Sequence, residues 1–130
     1  ALSHESSLKV FGDDYPTADG TCVRDYVHVT DLAQAHLLAL KYMERNKGFS
    51  DFNLGNGNGF SVLEIISSCE AITGKKVNFK FENRRVGDSA ALVACSANAN
   101  AALGWQSEYG LDDIIETAWS WHKRVDSGGL

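Results

Sequence analysis

Two arginines, a tyrosine and an aspartate are the side chains of this sequence best suited to work on an anion. Arg24 and Tyr26 lie in GTCVRDYVHVTDL (residues 20–32), an extended, β-branched run that leads into a helix shortly after Tyr26. An arginine is always charged, and its flat fork of donors matches phosphate or carboxylate better than a lysine does. A strand that ends in a capped helix is a good mount for fixed side chains, so Arg24 and Tyr26 are expected to hold the anionic part of a ligand. The second group is in ENRRVGDSAAL (residues 82–92), where Arg84 and Arg85 follow a strand and Asp88 comes one glycine later. That turn carries both signs needed to read a nucleotide, cation for phosphate and carboxylate for ribose hydroxyls. A paired arginine at a strand end is also commonly a solvated rim. A third candidate, GNGNG at residues 55–59, sits between an expected strand and a capped helix. Its spacing fits neither dinucleotide nor P-loop patterns. It reads either as a phosphate cradle or as a sharp turn that packs closely.

Alternation in LKVF predicts a strand at residues 8–11, followed by a glycine-bounded loop over 12–20 that is either a ligand rim or a connector. A helix is expected over 30–46, capped by Thr30 or Asp31. It is apolar on most of its circumference, which calls for cover on more than one side, including a layer this chain does not contain. His36, among its apolar residues, is expected to be a core histidine. A strand is expected at 49–54. Ser61 and Glu64 form a capping box for a helix whose core face is Val62, Ile65, Ile66, Cys69 and Ile72 and whose stop is Gly74. VNFKF at 77–81 alternates as a strand with one buried face. Ser96 caps a short helix ending at Gly104, with Trp105 packing back on it. The last helix, 111–125, places acids in its first turn and bases in its last. Its expected buried face is Leu111, Ile114, Ile115, Ala118, Trp121 and Val125. The order of elements is α/β.

The totals narrow the possibilities. The chain has 130 residues, is 44% hydrophobic and 10% aromatic, and carries a net charge of -5. This is enough to build a core, and the acidic balance argues against a nucleic-acid partner. No apolar run approaches the roughly 18 residues of a membrane helix. Cys22, Cys69 and Cys95 are odd in number and have no CxxC spacing. They are expected to be reduced and buried, binding no metal, in a cytoplasmic protein. The chain opens with ALSHESS, so residues 1–7 are expected to be a lead-in from an upstream half. Residues 8–125 should form the working region, and 126–130 a frayed tail.

Taken together, VFGDDYPTADGTCVRDYVHVTDLAQAH, FNLGNGNGFSVLEII, RRVGD, LGW and a closing helix with WSWH resemble the C-terminal part of the UDP-glucose 4-epimerase family, within the extended short-chain dehydrogenase/reductase superfamily. The resemblance runs over about residues 8–123. It implies an α/β fold, the C-terminal substrate-binding portion of a Rossmann-type enzyme. It also implies NAD as cofactor, held by an N-terminal half that carries a Tyr-x-x-x-Lys pair. None of the tyrosines here has a lysine four residues on, so no catalytic, cofactor-binding or metal-binding residue is expected in this chain. By the resemblance, the main chain near Lys9 and Phe11 holds the uracil. Arg24 and Arg85 clamp the diphosphate, Tyr26 lies beside them, and Asp88 takes the ribose hydroxyls. The implied partners are a UDP-sugar and a second copy of the parent chain, a homodimer. The sequence departs from the family's common residues at Val86, Cys95 and Asn98, and Leu92 stands at a variable position bordering the sugar. The alternatives are a related nucleotide-sugar epimerase or dehydratase, such as one acting on a UDP-pentose, and a stand-alone, non-catalytic nucleotide-sugar binding module.

Overall fold

The structure is a computed structural model that describes residues 7–126. Apart from Ser7 and the backbone of Asp126, the expected lead-in and frayed tail lie outside the described residues. The elements run β1 (Leu8–Phe11), β2 (Val23–Arg24), α1 (Val29–Arg45), β3 (Phe60–Ser61), α2 (Val62–Thr73), β4 (Phe79–Glu82), β5 (Ala91–Leu92), α3 (Ala97–Leu103) and α4 (Leu111–Asp126). β1 pairs in parallel with β4, Leu8 opposite Phe79 and Phe11 opposite Glu82. In a second sheet, β2 lies between β3, antiparallel, and β5, parallel. Alternation along β1 sends Val10 inward, 1% exposed, and leaves Lys9 and Phe11 on the other face.

The helices follow local chemistry closely. In α2 the Ser61 hydroxyl accepts from the Glu64 amide while the Glu64 carboxylate accepts from the Ser61 amide, and Gly74 ends the helix at φ 67°. In α3 the stop at Gly104 has φ 69°. Trp105 is 1% exposed and forms the core with Ala35 of α1 and Ala99 of α3, while its indole N–H donates to the Asp31 carbonyl at 2.9 Å. α2 packs on α4 and α1 on α3.

Several expectations are corrected. The cap of α1 is His28, ahead of both Thr30 and Asp31: its Nδ1 accepts from the Thr30 amide at 3.1 Å, as an asparagine cap would. With that nitrogen accepting, Nε2 carries the proton and donates to Thr117 Oγ at 2.9 Å, and the ring stacks on Tyr109. Asp31 is instead buried, accepting from Ser107 Oγ and from the amides of Glu108 and Tyr109. No strand forms over 49–54. An extended segment becomes a strand only beside a neighbour that takes its backbone groups, and here only Phe52 and Leu54 find cover, against the core cluster. The expected strand at 77–81 runs from Phe79 to Glu82, and its Phe79 and Phe81 face is 38% and 45% exposed. His36 is exposed rather than in the core, its Nδ1 against the Leu32 carbonyl at 2.6 Å. Ala118, Trp121 and Val125 are exposed on α4, and of its expected face only Ile115 is fully buried. All three cysteines are free, but Cys95 is exposed and Cys69 only half-buried. Burial pushes the Cys69 thiol up, away from the reactive thiolate.

The cover of α1 is partial. Ala35 and Leu38 lie on the core, whereas Val29, Leu37, Leu40 and Met43 are each more than 60% exposed. This matches a helix whose apolar circumference exceeds what the chain can cover.

Candidate functional site

Three local structures bring the expected ligand residues together. The first is the pairing of β2 with β5, which sets Arg24 opposite Leu92 and bonds the Val23 amide to the Ala90 carbonyl at 2.8 Å. It draws the segment before β5 across the arginine, whose Nη1 donates to the Val23 and Ser89 carbonyls at 2.7 and 2.9 Å. The second is a tight turn from Arg85 to Asp88, closed by the Asp88 amide donating to the Arg85 carbonyl at 3.2 Å, with Gly87 at φ 87°. That turn folds Arg85 Nε back onto Asp88 Oδ2 at 2.8 Å. The third is β1 beside β4, which carries the chain past Phe11. The Arg85 guanidinium lies over the Phe11 ring, 4.8 Å from its centre.

The result is a continuous cluster. Arg24 Nη2 is 3.4 Å from Asp88 Oδ1, while Arg85 holds the other oxygen. The Arg24 and Asp88 side chains are about a fifth exposed and that of Arg85 is 58% exposed, so the cluster opens to solvent on the Arg85 side. Two guanidiniums and one carboxylate leave a net positive charge, suited to an anion with several oxygens. Tyr26 is half-buried, within reach of the Arg24 charge. Burial pushes its phenol up and Cys22 adds to that, while Arg24 pulls the other way. It therefore keeps its proton at neutral pH and can donate to an anion. Lys9 shares the Phe11 face of β1, but its ammonium turns to Glu82, at 3.6 Å.

The structure also separates the two adjacent arginines. Arg84 stacks over Tyr15, 4.1 Å from the ring centre, and pairs with Asp14 at 2.6 Å. It pins the 12–20 loop and stays apart from the Asp88 cluster. A polar cavity of about 390 Å³ lies at that pin, between the start of this loop and the end of β4.

The glycine-rich turn cradles an anion of the chain itself. The Asn56 amide donates to Asp25 Oδ1 at 2.8 Å, and the Gly57 and Ala94 amides donate to Oδ2 at 3.2 and 3.1 Å. A Cβ on Gly55 would overlap Asp25 Oδ2 and lie 2.6 Å from the Ala94 side chain, so this position has room only for glycine. The close-packing reading of GNGNG therefore holds: the Asn56 and Gly57 amides are taken by Asp25 and the Gly55 amide by Ser96 Oγ, at 2.9 Å. Sequence reasoning passed over Asp25. Its signal was a carboxylate beside a ligand arginine in a chain that also carries a glycine-rich turn. By tying the end of β2 to residues 56, 57 and 94, it fixes the segment that mounts Arg24 and Tyr26. Asp19 does similar work at the loop end. It accepts from the Thr21 amide and hydroxyl and from the Ser61 hydroxyl, joining the loop to the start of α2.

A model of the NAD dependent epimerase/dehydratase family matches residues 1–55. The UDP-glucose 4-epimerase of Lacticaseibacillus casei is 48% identical over 129 residues, covering 98% of this chain and 39% of that protein. The human UDP-glucose 4-epimerase is 44% identical over 128 residues, covering 98% and 37%. Among solved structures, UDP-glucose 4-epimerase from Bifidobacterium longum in complex with NAD+ and UDP superposes with a TM-score of 0.90 at 37% identity, covering 99% of this chain and 38% of that one. The enzyme from Stenotrophomonas maltophila, with bound NAD and formylated UDP-arabinopyranose, gives a TM-score of 0.89 at 43% identity, covering 94% and 36%. The chain thus spans less than two fifths of the length of these relatives. Along nearly all of its residues the chain is thus similar, in sequence and in fold, to one portion of the UDP-glucose 4-epimerases.

Proposed function

We propose that this chain is the C-terminal, substrate-anchoring portion of a UDP-glucose/UDP-galactose 4-epimerase, the isomerase of galactose metabolism. In this reading Arg24 and Arg85 neutralise the diphosphate of a UDP-sugar, and Tyr26 donates its phenolic proton beside them. Asp88 accepts from the ribose hydroxyls, and the main chain at Lys9 and Phe11 meets the uracil. The observation that carries the reading is the meeting of two guanidiniums from distant segments at one point beside Phe11. Anchoring the nucleotide places binding energy far from the reacting sugar carbon, so the hexose is left free to turn while its carrier stays fixed.

Among the described residues the glycine-rich turn at 55–59 does not fit a dinucleotide, because its Asn56 and Gly57 amides already hold Asp25 and its Gly55 amide holds Ser96. In this reading NAD would be held by the rest of the parent protein and would supply hydride chemistry at sugar C4. The parent is read as a cytoplasmic homodimer on the family likeness. Among the described residues no helix is long and apolar enough to cross a membrane. A second reading, a UDP-pentose substrate, is favoured by the formylated UDP-arabinopyranose in the Stenotrophomonas enzyme.

The test is calorimetric titration of UDP into the chain and into Arg24→Ala. Charge-assisted bonds to a phosphate are each worth about 1.5–3 kcal/mol, so the variant should bind about ten-fold more weakly or worse. Equal affinity would end the assignment.

A further inference from the structure

We propose that Asp88 is an internal competitor for the two arginines, and that this competition makes the site select nucleoside diphosphates over bare inorganic diphosphate. The inference rests on the nucleotide reading above and adds a specificity-determining role to it. One carboxylate engages both guanidiniums, with Oδ1 3.4 Å from Arg24 Nη2 and Oδ2 2.8 Å from Arg85 Nε. Arg24 is otherwise held by two main-chain carbonyls, which are neutral and leave its charge available. An anion that takes both arginines has to displace this carboxylate or share them with it. Inorganic pyrophosphate displaces it and offers Asp88 nothing in return. A nucleoside diphosphate carries hydroxyl donors next to its phosphates, so the released carboxylate regains hydrogen bonds. The turn that carries Asp88 is short, with Gly87 at φ 87° and Val86 at its tip fully exposed.

The experiment titrates inorganic pyrophosphate and UDP separately into the wild-type chain, Asp88→Asn, Asp88→Ala and Arg85→Ala, with far-UV circular dichroism reporting the fold. Partly exposed ion pairs are worth up to about 1 kcal/mol each, so both Asp88 variants should bind pyrophosphate about five- to ten-fold more tightly. UDP should gain nothing or weaken, so that the preference for UDP over pyrophosphate collapses. Arg85→Ala should weaken both ligands. Unchanged or weaker pyrophosphate binding in the two Asp88 variants overturns the proposal, as does loss of the fold in both. A wild-type chain that binds no UDP, with Arg24→Ala behaving the same, marks the failure of the nucleotide reading itself. UDP binding by the wild type without tighter pyrophosphate binding in the variants marks the failure of the competition alone.

Discussion

Arg24 and Arg85, one on a strand and the other on a turn far along the chain, contact opposite oxygens of a single carboxylate, that of Asp88. Only one of the two contacts is local. Arg85 reaches Asp88 through a four-residue turn, and Arg24 reaches it because β2 and β5 lie in parallel. The geometry of the cluster therefore depends on whatever keeps β2 in place, chiefly the Asp25 cradle on one side and the Asp19 network on the other.

Gly55→Ala should destabilise the chain by about 1–3 kcal/mol, since a methyl there meets Asp25 Oδ2 and the Ala94 side chain and neither can retreat without losing backbone partners. Thermal or urea unfolding measures it. Wild-type stability in the variant would show that the cradle is loose.

The Asp19 carboxyl is pushed up by burial, but bonds from Ser61 and Thr21 outweigh this and leave it below its ordinary value. A carboxyl lowered in the folded chain adds stability that is present above its unfolded value of 3.8 and is lost as pH falls through the folded value. Stability should therefore fall below about pH 4 more steeply in the wild type than in Asp19→Asn. Urea midpoints at pH 7 and pH 3 compare the two. Identical pH dependence would remove Asp19 from the account.

Leu37, Leu40 and Met43 form an exposed apolar stripe on α1. Replacing all three with Gln should cost little stability, within about 0.5 kcal/mol per site for exposed positions. It should also reduce self-association of the isolated chain. Light scattering after size exclusion reads the association, and denaturation reads the stability. A cost of several kcal/mol would mean that the stripe is covered within the chain.

The chain alone, given NAD and UDP-galactose, should show no turnover, because none of its tyrosines has a lysine four residues on and its glycine-rich turn is closed on Asp25. Product formation above background would move catalysis into this portion.

What could be read from the order of residues was what short-range chemistry controls. The capping box at Ser61 and Glu64, the glycine stops at Gly74 and Gly104, and the charge arrangement of α4 each depend on neighbours within a few positions. So did the Arg85–Asp88 turn, and the family motifs pointed to Arg24, Tyr26 and the rest by type. Tertiary structure decided everything that needed a distant partner. It set Arg84 on Tyr15 and Asp14 and Arg85 over Phe11, although the two arginines are adjacent and identical. It gave the Asn56 and Gly57 amides to Asp25 and made His28 a cap through its ring nitrogen. It left 49–54 without a strand because no strand pairs with it; the Asp51 carbonyl goes to the Asn98 side chain instead. Helix periodicity is written into consecutive residues, whereas the partner of a carboxylate or an extended backbone is chosen by segments that meet only once the chain has folded.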